Sequence, residues 1–256
     1  MQINIWHFLI VCPLLFLAGF VDAIAGGGGL ISLPAYLIAG FPTTIALGSN
    51  KMSALMGTSL STYKYYKSGF INLKIALPCV FFALFGSTIG ARIALLIDDK
   101  LFKIIMLFVI PLTLIYISKS SSLKKNQKED SSLNINIISI AILISFFLGI
   151  YDGVYGPGTG TFLIIMLTSV VGLSLNQSNG VAKAINLSTN LGALLIYIIN
   201  GKVLFQLALT AGVFNMLGAY LGTTLFKKKG LSMVKPIMYL VLIIFLVKII
   251  LELFEV

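Results

Sequence analysis

Apolar runs follow one another along nearly the whole chain, separated by short polar breaks. Ten can be marked, at roughly 6–25, 29–40, 44–63, 71–96, 101–118, 135–155, 160–173, 177–199, 203–226 and 233–254. A helix needs about 20 apolar residues, within a range of about 17–25, to cross a bilayer. Eight of the runs reach that length, and the runs at 29–40 and 160–173 do not. The short ones predict half-helices or re-entrant pieces, since irregular backbone at that depth needs protein or a watery cavity around it. The most polar stretch, Ser118 to Ser132, divides the chain. The pattern predicts an all-α polytopic membrane protein with a first transmembrane repeat at 1–118, a linker at 119–134 and a second repeat at 135–256.

The two parts repeat each other. Gly19/Gly149, Asp22/Asp152 and Gly26/Gly156 match at an offset of 130. Lys51/Lys183, Tyr65/Tyr197, Gly69/Gly201, Gly86/Gly218 and Gly90/Gly222 match at 132, as a two-residue insertion would produce. An odd number of crossings per half makes the halves inverted relative to each other, a common transporter architecture. Gly86-Ser-Thr-Ile-Gly90 and Gly218-Ala-Tyr-Leu-Gly222 are GxxxG patterns and are assigned to close helix packing. Trp6, Tyr63, Tyr65 and Tyr66 read as interfacial anchors.

Composition agrees with the membrane assignment. Hydrophobic residues make up 58% of the 256 positions and charged residues 10%, against about 25% charged in soluble domains. The net charge of +10 would fit nucleic acid, but the lysines sit in loops between apolar runs and read as a topology signal instead. The linker holds Lys119, Lys124, Lys125 and Lys128, which predicts that it is cytoplasmic. Counting crossings puts Lys64, Lys67, Lys74, Lys227, Lys228, Lys229 and Lys235 on the same side, eleven of the 18 basic residues in all. Asp98, Asp99, Glu252, Glu255 and both termini then face outward. The start lacks the basic flank of a signal peptide, so the first segment is expected to be retained.

Several chemistries are excluded or disfavoured. His7 is the only histidine, which rules against a histidine metal site or a histidine triad. Cys12 and Cys79 lack CxxC spacing and read as small core residues. The ATP-binding pattern GxxxxGK[ST] is absent. Neither a metal nor a cofactor is expected, and enzymatic activity is not.

What remains is a charged, glycine-rich motif written twice. Asp22 is followed by Gly26, Gly27, Gly28 and Gly29, and Asp152 by Gly156-Pro157-Gly158-Thr159-Gly160. A charge within hydrocarbon costs about 2.5–3.5 kcal/mol on insertion scales, and each helical glycine about 1 kcal/mol relative to alanine. Such breaks make sense where a helix stops and bare amides meet an anion; a tight interhelical turn is the plainer alternative. Lys51 and Lys183 lie alone in apolar surroundings. Asn179, Lys183, Asn186 and Asn190 share one helical face. The matching face of the first half carries Lys51 and Thr58, with Ala54 in place of Asn186 and Asn50 beside it. A buried lysine here can bind an anion or pair with Asp22 or Asp152. These two acids are the ones inside apolar segments, so they are candidates for charge balance or a proton relay. The candidate substrate-binding set is therefore Gly26, Gly27, Gly28, Gly29, Asn50, Lys51, Thr58, Gly156, Gly158, Thr159, Asn179, Lys183, Asn186 and Asn190.

At Gly19-Phe-Val-Asp22 with its glycine run, at Gly48-Ser-Asn-Lys51 and at Gly180-Val-Ala-Lys183, the sequence resembles the sulfite exporter TauE/SafE family, also called the 4-toluene sulfonate uptake permeases. The likeness covers nearly the whole chain apart from the linker. It implies a polytopic inner-membrane carrier for sulfur-containing anions such as sulfite, sulfoacetate and related organic sulfonates. Residues and resemblance together lead to the expectation of a secondary transporter of small anions, coupled to protons and working by alternating access. A membrane-embedded enzyme acting on lipid or isoprenoid phosphate, or a channel, is the alternative.

Overall fold

The computed structural model describes residues 3–108 and 135–229, together with Ile243. The linker at 119–134, the tenth apolar run and the end of the fifth lie outside the described residues. So do the side chains of Lys227, Lys228, Lys229, Lys235, Glu252 and Glu255.

Every regular element among the described residues is a helix. They are α1 (Ile5–Ala25), α2 (Gly29–Ile38), α3 (Thr43–Lys67), α4 (Leu73–Leu96), α5 (99–108), α6 (Ile135–Val154), α7 (Thr159–Ser169), α8 (Leu175–Ile199) and α9 (Phe205–Lys229). Local signals set the ends. Asn4 and His7 form a reciprocal capping box at the start of α1, Asn72 caps α4 through the Lys74 amide, and Ser174 caps α8 through the Gln177 amide.

Five helices are long and apolar enough to cross a membrane: α1, α4, α6, α8 and the Phe205–Phe226 part of α9. Helix α3 is not among them, although its 25 residues span about 37 Å at 1.5 Å per residue. Its shortfall is in hydropathy, because Ser49, Asn50, Lys51, Ser53, Thr58 and Ser61 are buried on it. It is a central helix whose polar side faces protein. Helices α2 and α7, of 10 and 11 residues, cover only about half of a hydrocarbon core roughly 30 Å thick.

Contact registers fix the helix directions. Helices α3 and α8 cross at the centre and run antiparallel: Thr62 Oγ1 donates to Lys183 O at 3.1 Å and Asn190 Nδ2 to Thr58 Oγ1 at 3.5 Å. Helix α9 runs parallel to α3, with Ser53 Oγ donating to Ala208 O and Lys64 Nζ to Thr224 Oγ1. It also runs parallel to α1, with Asn215 Nδ2 on Leu15 O and Gly222 against Phe20 and Ala23. In the other half, α4 runs parallel to α6, where Gly149 meets Ala83 and Gly153 meets Ser87 and Ala91. Helix α4 and the turn that leads into it likewise run parallel to α8, where Gly180 meets Phe70 of the turn and Gly192 meets Leu84 and Ser87. Thus α1, α3 and α9 point one way and α4, α6 and α8 the other. By sequence α1 corresponds to α6, α3 to α8 and α4 to α9. Each matched pair runs in opposite directions, the relation expected of inverted halves.

Both GxxxG faces lie where helices touch. A Cβ at Gly90 would stand 2.1 Å from Ile150 O on α6, and one at Gly218 would stand 1.9 Å from Phe16 O on α1. These closest approaches join each half's last described full helix to the other half's first. One sequence expectation is corrected. Trp6, Tyr63 and Tyr66 are more than half exposed, but Tyr65 is 1% exposed. Tyr65 shares the inward face of α3 with Thr58 and Ser61, at helical spacing, while Tyr63 and Tyr66 point away from it.

Candidate functional site

The two glycine breaks meet in the middle of the bundle. Helix α1 stops at Gly26 (φ 72°), and α7 begins after Gly156 (φ 92°) and Gly158 (φ 86°), a backbone that favours glycine. A Cβ on Gly26 would stand 2.3 Å from the Gly160 carbonyl carbon, and one on Gly29 would stand 3.0 Å from Pro157 Cα. Side chains are excluded because backbone packs on backbone. Related points of oppositely directed halves can touch only where the halves meet, which sets the breaks deep between them.

A helix that ends inside a bundle leaves its last four carbonyls without intrahelical donors. At the end of α1, the Asp22 carbonyl accepts the Gly26 amide at 2.8 Å, and each carbonyl from Asp22 to Ala25 receives a side chain. Lys183 Nζ donates to Asp22 O, Tyr65 Oη to Ala23 O at 2.6 Å, Asn179 Nδ2 to Ile24 O at 3.2 Å, and Thr161 Oγ1 to Ala25 O at 2.8 Å. Of these bonds to carbonyls, only the tyrosine's has a counterpart at the end of α6 among the described residues, where Tyr197 Oη reaches Gly153 O at 3.3 Å. The residue matching Asn179 is Leu47, which cannot donate.

The charged residues pair across the halves. Lys51 Nζ lies 2.6 Å from Asp152 Oδ2, with both side chains almost wholly buried. Lys183 Nζ lies 2.8 Å from Asp22 Oδ2, with the lysine fully buried and the aspartate side chain 16% exposed. Each lysine takes the carboxylate of the opposite repeat, not the one that precedes it in its own. Burial at this depth requires such pairing, because an isolated ion would lose its hydration without return.

Beside the breaks is a cavity of about 40 Å³, room for roughly three waters at about 10–15 Å³ each. Of the predicted residues, Asp22, Gly26, Gly28, Gly29, Asn50, Lys51, Thr58, Asp152, Gly156, Asn186 and Asn190 line it. Gly27, Gly158, Thr159, Asn179 and Lys183 do not; Asn179 and Lys183 instead hold the end of α1. Ser32, Gly160 and Asn215 line it as well, and sequence reading did not select them. Asn215 had a usable signal, as a lone amide in the apolar run Ala-Gly-Val-Phe-Asn-Met-Leu.

The wall offers donors and unpaired polar atoms. Asn50 Oδ1 and Asn186 Oδ1 are buried without a hydrogen-bond partner, a state that is rare in folded proteins. Turning either amide over would present its NH₂ group instead. The amides of Gly28 and Gly29, at the start of α2, donate to no backbone carbonyl among the described residues. Lys51 thus lies in a small cavity with asparagine side chains and a helix N-terminus, a combination suited to oxygen atoms carrying negative charge.

Comparison with known proteins agrees with this architecture. The family model described as "Sulfite exporter TauE/SafE" matches residues 11–249. The chain is 34% identical to the probable membrane transporter protein ORF9 of a Sinorhizobium species, over 88% of this chain and 85% of that one. It is 32% identical to a probable membrane transporter protein of Haemophilus influenzae, over 86% of each chain. It is 30% identical to the probable membrane transporter protein YfcA of Escherichia coli, over 88% of this chain and 82% of the relative. No solved structure matches. A match over nearly the full length, on a bundle whose paired charges and glycine breaks coincide with the repeated motif, means that the chain belongs to the sulfite exporter TauE/SafE family.

Proposed function

We propose that this protein is a secondary transporter of small oxoanions, with sulfur oxoanions and organic sulfonates as its substrate class. The observation that carries this reading is Lys51. Its ammonium stands in a cavity between oppositely directed halves, among Asn50 and Asn186 with unpartnered oxygens. The family's name supports sulfite as one member of the class. At about 40 Å³ the cavity is too small for a hydrated oxoanion, so the ligand enters as the halves part. Rocking of one repeat against the other supplies that opening to each side in turn. Asp22 and Asp152 balance the lysines or carry the coupled proton.

Reconstitution into liposomes tests the reading, with labelled sulfite, methanesulfonate and acetate as probes. Saturable sulfite or sulfonate flux, faster with an inward proton gradient, is the expected result. Flux that rises linearly with concentration would point to a channel, and no flux of any anion would end the transport reading. Unchanged pH dependence in both Asp22→Asn and Asp152→Asn would remove the proton from the scheme.

The same reading places the linker in the cytoplasm and both termini outside the inner membrane. Labelling checks this, because the native cysteines Cys12 and Cys79 are buried. A Ser121→Cys protein is expected to react with an impermeant maleimide only after the cells are opened. Labelling of intact cells would reverse the orientation.

A further inference from the structure

The two ion pairs match by repeat but differ in their surroundings. Lys183 Nζ is held twice by one residue, through Asp22 Oδ2 at 2.8 Å and through the Asp22 carbonyl oxygen, and it lies off the cavity. It belongs to the four donors that close the end of α1. Among the described residues Lys51 has a single acceptor, Asp152 Oδ2 at 2.6 Å, and both partners line the cavity. An ammonium carries three protons, so two N–H groups of Lys51 have no acceptor among the described residues. The end of α6 beside it has the tyrosine cap alone among the counterparts of those four donors.

We propose that Asp152 is a built-in competitor of the transported anion: Lys51 exchanges the Asp152 carboxylate for the substrate, while Lys183–Asp22 stays closed through the cycle as a fixed cap on α1. This rests on the anion-transport reading above. Its physical basis is that a bare ammonium in a low-dielectric interior is costly. A swap of one anionic partner for another keeps Lys51 neutralised both in the loaded carrier and in the empty one. The empty carrier can then rearrange without an unpaired charge at its centre. Competition also lowers the apparent affinity by the fraction of time for which Lys51 is free of Asp152. Two sequence-equivalent pairs thus do unequal work.

The test is anion binding by the purified full chain in detergent, with sulfite, sulfate and methanesulfonate as probes. If Lys51 is free less than about a tenth of the time, Asp152→Asn should tighten binding roughly tenfold or more. Net flux should fall in the same protein, because the anion is released slowly and the empty carrier keeps an unpaired ammonium. The double variant Asp22→Asn/Lys183→Met should show no tightening. Equal or weaker binding by Asp152→Asn, or equal tightening in the double variant, overturns the proposal. If Asp152→Asn unfolds without anion, the rise of its unfolding midpoint with sulfate becomes the readout; a rise no larger than that of the wild type overturns the proposal. Wild-type protein that carries none of the probes, beside an Asp152→Asn protein that binds sulfate more tightly, would refute transport and leave the exchange standing. Wild-type flux without tightening in Asp152→Asn would do the reverse.

Discussion

A Lys51→Met/Asp152→Asn protein is expected to fold and to transport anions at least roughly thirtyfold more slowly than the wild type. The pair is removed as a whole, so no uncompensated charge stays behind. Replacing a complete buried ion pair by neutral residues is often neutral or even stabilising. What disappears is the cation in the cavity wall. Truncating a charge that binds a charged ligand in a dry site costs about 2–5 kcal/mol, and each 1.4 kcal/mol is about tenfold in affinity. The asparagines and the α2 amides remain, so weak binding of the anion can survive where transport does not. The check is liposome flux beside an unfolding curve. A folded double variant that carries anions at the wild-type rate would remove Lys51 from the binding site.

Lys183→Met is expected to damage stability first. Lys183 is fully buried, and it satisfies both the carboxylate and the carbonyl of Asp22. Its loss leaves one uncompensated carboxylate and takes one of two donors from the Asp22 carbonyl, which keeps the Gly26 amide. Breaking one side of a buried pair costs about 3–5 kcal/mol. Adding Asp22→Asn should restore part of this, because the unpaired charge is gone while the lysine's bond to the carbonyl stays lost. Denaturant unfolding in detergent measures both. An unfolding free energy within about 1 kcal/mol of the wild type in Lys183→Met would show that the cap is dispensable. A variant with normal stability and no anion binding would instead move Lys183 into the site.

Sequence reading reached the breaks, the lysines and the aspartates, because charge and glycine stand out against hydrocarbon. It reached Asn186 and Asn190 through helical spacing from Lys183. Asn179 met the same spacing rule, yet it props the Ile24 carbonyl and Tyr65 outside the cavity. Spacing identifies a face, and a face a few turns long passes several different neighbours. Tyr65 was misplaced for a related reason. Adjacent tyrosines at a helix end look alike in sequence, and only the inward direction separates Tyr65 from Tyr63 and Tyr66. Asn215 and Ser32 join the cavity because α9 and α2 pass it, a proximity set by long-range packing.

By itself the sequence determined that the chain is a helical membrane protein, that its halves repeat, and that two buried acids and two buried lysines need partners. Those conclusions rest on composition, periodicity and the cost of charge in hydrocarbon, all of which are local to the chain. Only the tertiary structure decided that each lysine pairs with the aspartate of the other half. It also decided that Lys51 faces the cavity while Lys183 caps α1, although the two occupy equivalent places in the repeat. The reason is the antiparallel crossing of α3 and α8 and the contact of the two breaks. These set the rotation of each helix, and helix rotation decides which neighbour a side chain meets.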